Sequence, residues 1–216
     1  MKSGLVLFVD MLVVLFFCRR FTVVYNNYSG QTLALKQRAY ILSMYSSGIL
    51  SFFGLYFNGL LYMCDFDVHS YTDQFQFYHY ALCKLCIHSF TAYLITDMYI
   101  GTQDYPSTLK SLTGYVHHVI YIGINMLSLY TRLYNVYVLF MIAEIPTFFL
   151  AFGSVHPNYR SNVLFGITFG WTRIAYFSYL VYHVLPNYTL ILYLSSGILG
   201  LHVYWFSKWV KRYILN

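Results

Sequence analysis

TGYVHHVIYIGINMLSLYTRLYNVYVLFMIAEIPTFFLAFG (113–153) decides the fold. It holds two apolar stretches, 115–131 and 135–154, each close to the ~20 residues a helix needs to cross about 30 Å of hydrocarbon. Only TRLYN (131–135) separates them, a link short enough to make the pair a helical hairpin. Ionisable groups are sparse: His117 and His118 open the first run, and Glu144 sits within the second. At the centre of a bilayer a charge costs about 2.5–3.5 kcal/mol or more, so each such group must be paired, hydrated or neutral.

The same pattern recurs outward, at 4–24, 39–63, 77–100, 162–185 and 189–209. The fold class expected is therefore all-α: a multi-pass transmembrane helical bundle of about seven spans. Composition agrees. Of 216 residues, 59% are hydrophobic and 9% charged, against roughly a quarter charged in soluble domains. So few charges cannot cover a globular surface. Aromatics reach 22%, led by 25 Tyr, a residue favoured where a ring can be buried and its hydroxyl wet. The net charge of +6 is scattered without a basic patch or RNA-binding motif, which argues against a nucleic-acid partner. Lys2, the apolar stretch 4–18 and then Arg19 and Arg20, with no small-residue cleavage site, read as an uncleaved first span.

Orientation follows from Lys and Arg. Arg19, Arg20, Lys36, Arg38, Lys110, Arg160, Lys208, Lys211 and Arg212 fall on one set of alternate loops, and only Lys2 and Arg132 on the other. The positive-inside bias places the amino terminus in the lumen or outside the cell and the carboxyl terminus in the cytosol. The acidic loop CDFDVHSYTDQ (64–74) then lies outside, and only Cys64 of the four cysteines falls beyond the spans, which excludes a disulfide framework.

Inside the spans, depth suggests partners. Asp10 and Lys84 both occupy outer halves and can pair. Glu144 and Arg173 both lie near mid-membrane, where an ion pair and a polar ligand cavity are equally compatible. Gly166, Gly170 and Arg173 share a helix face, and GITFG (166–170) is a GxxxG pattern that admits a close neighbouring backbone. Pro146 cannot donate to the carbonyl of Ile142, which leaves an acceptor beside Glu144. Asp97 closes span three at the depth where His117 and His118 open span four. An acid beside an imidazole fixes its tautomer and stabilises its charged form, as proton transfer or nucleophilic activation requires. Adjacent helix positions diverge by about 100°, so one ring enters a cavity while the other orients it. His79, Cys83 and Cys86 share a face with metal-ligand spacing, but cysteine is equally a small apolar helix residue, and no metal is expected.

These residues together resemble the TLC domain family (TRAM, LAG1 and CLN8 homology), nearest to its small TLC domain-containing proteins related to ceramide synthases. The resemblance covers about 39–210 and rests on Asp97, His117-His118, Glu144-Ile-Pro-Thr147, Arg173 in TRI and YWF (204–206). It implies three regions: 1–38, a first span and cytosolic linker; 39–210, a TLC domain of six spans; and 211–216, a short tail. It further implies lipid handling in the endoplasmic reticulum and, as in ceramide synthases, transfer of an acyl group from acyl-CoA to a lipid amine. His117 and His118 match the essential double histidine there. With Asp97 they are the catalytic candidates, and Glu144, Arg173 and Thr147 the candidates for holding lipid or substrate. The stretch after the histidines carries Glu144 where ceramide synthases have a pair of aspartates, and Pro146 where smaller relatives usually have Ser. No cofactor is expected beyond acyl-CoA as co-substrate. The expected partners are membrane lipids, with a homo-oligomer compatible. The alternative is a non-catalytic lipid-binding protein that regulates membrane composition or trafficking.

Overall fold

A computed structural model describes residues 2–30, 33–109, 114–183 and 189–215, and among them every regular element is helical. Seven long helical stretches dominate: α1 (Lys2–Ser29), α2 (Ile41–Met63), α3 (Phe77–Asp104), α4 (Tyr115–Tyr130), α5 (Tyr134–Val155), α6 (162–183) and α7 (Thr189–Tyr213). Lys110 of the loop-charge pattern lies outside the described residues. Helices dominate because the apolar runs satisfy their own backbone hydrogen bonds and leave side chains to pack.

Two of these stretches, Leu35–Met63 and Tyr134–Val155, are by length and hydropathy apolar enough to cross a bilayer. α4 has 16 residues, which at about 1.5 Å per residue falls short of the full hydrocarbon thickness.

Neighbours run α4–α3–α2–α5–α6–α7, an arc that curls until α4 and α7 line the same inner cavity. α1 stands outside it against α3. The tightest approach is between α2 and α5. A Cβ on Gly54 would lie 2.5 Å from the backbone nitrogen of Ile142, so only glycine lets these two backbones meet. Asn58, one turn later, donates to the carbonyls of Gly54 (2.7 Å) and Leu139 (2.9 Å) and accepts from the Tyr176 hydroxyl (2.7 Å). One amide thus ties α2, α5 and α6 together. α1 is pinned by polar contacts. Asp10 accepts from Lys84 at 3.3 Å and contacts His88 at 3.0 Å, and Tyr25 donates to Asp104, which also pairs with Arg38 at 3.1 Å.

Helix ends depart from the sequence expectation in one informative place. Asp97 does not close its helix, because α3 continues to Asp104, where Tyr25 and Arg38 hold the acid that ends it.

Candidate functional site

The site forms where the end of α3 meets the start of α4. Asp97 is buried on α3, and its Oδ2 lies 3.0 Å from Nε2 of His118. Its Oδ1 accepts a 2.7 Å hydrogen bond from the Tyr105 hydroxyl. On the far side of the imidazole, Nδ1 meets the Gly114 carbonyl at 2.9 Å. A carbonyl can only accept, so Nδ1 carries a hydrogen. One further proton is shared along the Nε2–Oδ2 contact, as an imidazolium–carboxylate or a neutral acid–imidazole pair. Both nitrogens of His118 are therefore occupied, and the ring is buried.

His117 points elsewhere, as the 100° step requires. Its ring packs on Tyr121 with centroids 4.5 Å apart, and it makes no hydrogen bond to another described residue. It lines a cavity of about 370 Å³ together with Glu144, Thr147, Arg173, Ser46 and Trp205. The residues singled out from sequence thus divide. His117, Glu144, Thr147 and Arg173 face one cavity, whereas Asp97 and His118 stand behind its wall.

The backbone is irregular where the polar groups project. Residues Val138–Glu144 form a 3₁₀ turn leading into Pro146, and Gly170–Tyr176 a π turn around Arg173. Such local changes of register re-aim side chains and recur at functional sites. Arg173 Nε donates to the Ala143 carbonyl and Nη2 to Thr147 Oγ1, each at 2.7 Å, and Nη2 lies 3.6 Å from Glu144 Oε1. The guanidinium also sits 5.2 Å above the Phe169 ring. The acceptor that Pro146 was expected to expose on Ile142 is instead used locally, by the N–H of Ile145. The neighbouring Ala143 carbonyl, within the 3₁₀ turn, takes the arginine.

The GxxxG face is also filled differently. A Cβ on Gly166 would run into the Trp209 ring and one on Gly170 would lie 3.0 Å from Phe206. The glycines admit stacked aromatic rings of α7, not a backbone. A second cavity, about 70 Å³ and apolar, shares Phe90, Glu144 and Arg173 with the first and extends toward Leu194, Ser195 and His202 of α7. The Glu144–Arg173 pair stands between the two.

Sequence reasoning missed two buried networks. One is the Asn58 bridge. The other runs from the Tyr137 hydroxyl to Asn125 Oδ1 (2.6 Å) and from Asn125 Nδ2 to Thr91 Oγ1 (2.9 Å). Each asparagine stands alone in an apolar run, and that isolation is the signal. His79 accepts the Gln76 N–H at 3.1 Å and caps α3, and no group of metal-ligating side chains converges among the described residues. The chain matches no known protein family, characterised protein or solved structure.

Proposed function

We propose that this chain is a multi-pass lipid-handling membrane protein of the TLC type, with about seven spans and an acyl-CoA-dependent N-acyltransferase activity that makes ceramide-like lipids. The observation that carries the reading is the division of the histidines: His117 faces a polar-lined cavity with Glu144, Thr147 and Arg173, while His118 is held behind it by Asp97. Neutral imidazole is a competent base near pH 7. In this reading His117 takes the proton from a lipid amine as the amine attacks the thioester carbonyl, and the C–S bond breaks as the imidazolium returns that proton to the departing thiolate of coenzyme A. Among the described residues Glu144 is held by its 3.6 Å contact with Arg173, which leaves the carboxylate able to receive the amine.

Membrane insertion is supported by the outer surface. Leu7, Phe16, Phe52, Val119, Ile167 and Trp171 are all exposed on the outside of the bundle, more apolar area than a soluble monomer leaves in water. Several exposed tyrosines and one phenylalanine lie at helix ends, Tyr62, Phe77 and Tyr130 at one end and Tyr99, Tyr159 and Tyr213 at the other by the alternation of helix direction, as a bilayer's two interfaces favour. In this reading the loop charges support a cytosolic carboxyl terminus, and His117, near the start of α4, lies toward the same side by the alternation of helix direction. The endoplasmic reticulum is the membrane this reading assigns.

The test is acyl-CoA consumption by protein purified in lipid, offered sphingoid bases and other lipid amines. His117→Ala should lower turnover by about 10² or more. Equal negligible rates for wild type and variant remove the enzyme reading. Retained lipid binding with no turnover favours the non-catalytic lipid regulator. A lumenal carboxyl-terminal reporter tag would overturn the topology.

A further inference from the structure

After α3, residues 105–109 turn back onto the end of that helix, beside the Asp97–His118 pair. α3 ends at Asp104, Tyr105 caps it, and Pro106–Leu109 forms a single turn. Two glycines make the reversal possible. A Cβ on Gly101 would run into the Leu109 side chain and lie 2.8 Å from the Tyr105 ring, and one on Gly114 would collide with the Leu109 backbone. Packed this way, Tyr105 is 1% exposed, beneath Tyr25 of α1 at 6.2 Å between rings. Its hydroxyl points back by eight residues to Asp97. Asp97 and His118 are 4% and 6% exposed, so both sit in a buried setting where each partner of the carboxylate counts.

Among the described residues the acid therefore has one partner for each of its two oxygens, and the partner of one determines what the other can do. A carboxylate free to rotate about its final bond presents either oxygen to the imidazole over a range of angles. With Oδ1 pinned by a phenol, Oδ2 is left directed at Nε2. We infer that Tyr105 is a positioning residue for the histidine pair: it locks Asp97 on His118, and the locked His118, bound on its other side to Gly114, sets the start of α4 so that His117 faces the cavity. This rests on the proposed function for what His117 then does, but the geometry can be tested without any turnover. Tyr105 touches neither cavity, so its effect on chemistry runs wholly through Asp97 and His118.

Diethyl pyrocarbonate acylates imidazole nitrogens that carry an open lone pair, and fragment masses of the peptide holding residues 117 and 118 tell which ring is modified. In the full-length protein His117 should react and His118 should not. The exposed His69 and the buried His88 and His202 serve as references in the same digest. Tyr105→Phe keeps the ring and removes the hydrogen bond, and should raise the rate at His118 about tenfold or more, the factor that corresponds to losing one hydrogen bond to a charged group. Tyr25→Phe, which removes the neighbouring phenol from Asp104 instead, should leave His118 protected. Unchanged protection in Tyr105→Phe overturns the inference. So does a Tyr105→Phe protein in which His88 and His202 also react, because the phenol then supports the whole bundle and not the histidine pair. A wild type in which His118 reacts before His117 overturns the division of the histidines itself. If acyl transfer is measured, Tyr105→Phe should lower kcat and leave the KM for the acyl donor unchanged. An absence of transfer in wild type removes the proposed function and leaves the labelling result standing.

Discussion

Replacing Arg173 by Met should reveal how much of the bundle's stability depends on one embedded cation. Methionine fills much of the volume, so the loss is mainly polar. The guanidinium makes two 2.7 Å hydrogen bonds, to the Ala143 carbonyl and Thr147, and pairs with Glu144 at 3.6 Å. Removing it leaves a carbonyl unsatisfied and a carboxylate unpaired. Breaking a fully buried pair costs about 3–5 kcal/mol, and the side chains here are 14% and 19% exposed, so about 2–4 kcal/mol is expected. At this chain length that is a fall in Tm of roughly 4–16 °C. Glu144→Gln should cost far less, about 1 kcal/mol or below, because Glu144 meets Arg173 at a distance too long for a hydrogen bond. The informative quantity is the double-mutant cycle. With Glu144 already neutral, Arg173→Met should cost at least about 1 kcal/mol less, since no uncompensated carboxylate remains. Thermal unfolding of the four proteins in one detergent or nanodisc, followed by tryptophan fluorescence, measures it. Equal cost of Arg173→Met in both backgrounds refutes the coupling and reduces Arg173 to a helix-bridging hydrogen-bond donor.

Gly166→Leu should destabilise by about 1–3 kcal/mol, because its side chain enters space held by the Trp209 ring; Trp209→Ala in the same protein should recover part of that loss in the same unfolding assay. Asn58→Leu should cost about 2–4 kcal/mol, since it strands the Leu139 carbonyl and the Tyr176 hydroxyl, and proteolysis should then cut more readily near α5 and α6. Asp67 caps the short helix Val68–Asp73 by accepting from the hydroxyl and N–H of Ser70 and the N–H of His69, and these bonds, chiefly that from the Ser70 hydroxyl, hold its carboxyl below the usual range. A depressed folded-state pKa means the cap is intact above the ordinary carboxylate value and lost as pH falls through the lower one. Amide exchange at Ser70 should therefore accelerate only below that range, and Asp67→Asn should abolish the step.

The apolar runs made the helices legible, because a segment that long and that poor in charge has few other ways to satisfy its backbone. Depth matching then worked for two pairs of embedded charges: Lys84 reaches Asp10, which also contacts His88, and Arg173 reaches Glu144 beside its bonds to Ala143 and Thr147. What sequence did not show is rotation about each helix axis and register along it. The side-by-side histidines look equivalent as letters, and only the packing of α4 on α3 makes one of them an anchor and gives the other a cavity. The 3₁₀ turn at Glu144 and the π turn at Arg173 fall where the two side chains meet across α5 and α6, a coincidence no single-helix pattern contains. Tyr105 was invisible for the same reason. It lies in a stretch that reads as a loop after Asp104, and its partner Asp97 lies two turns back on a helix that runs past its expected end. Once α3 is seen to continue and the two glycines to fold the chain back, the phenol is brought onto the one carboxylate that needs a second donor. A site of this kind is encoded less by its reactive residues than by the small residues that let the chain return to them. That is why Gly101 and Gly114, neither of which has a side chain, shape the histidine pair: both admit Leu109, and the Gly114 carbonyl also holds His118.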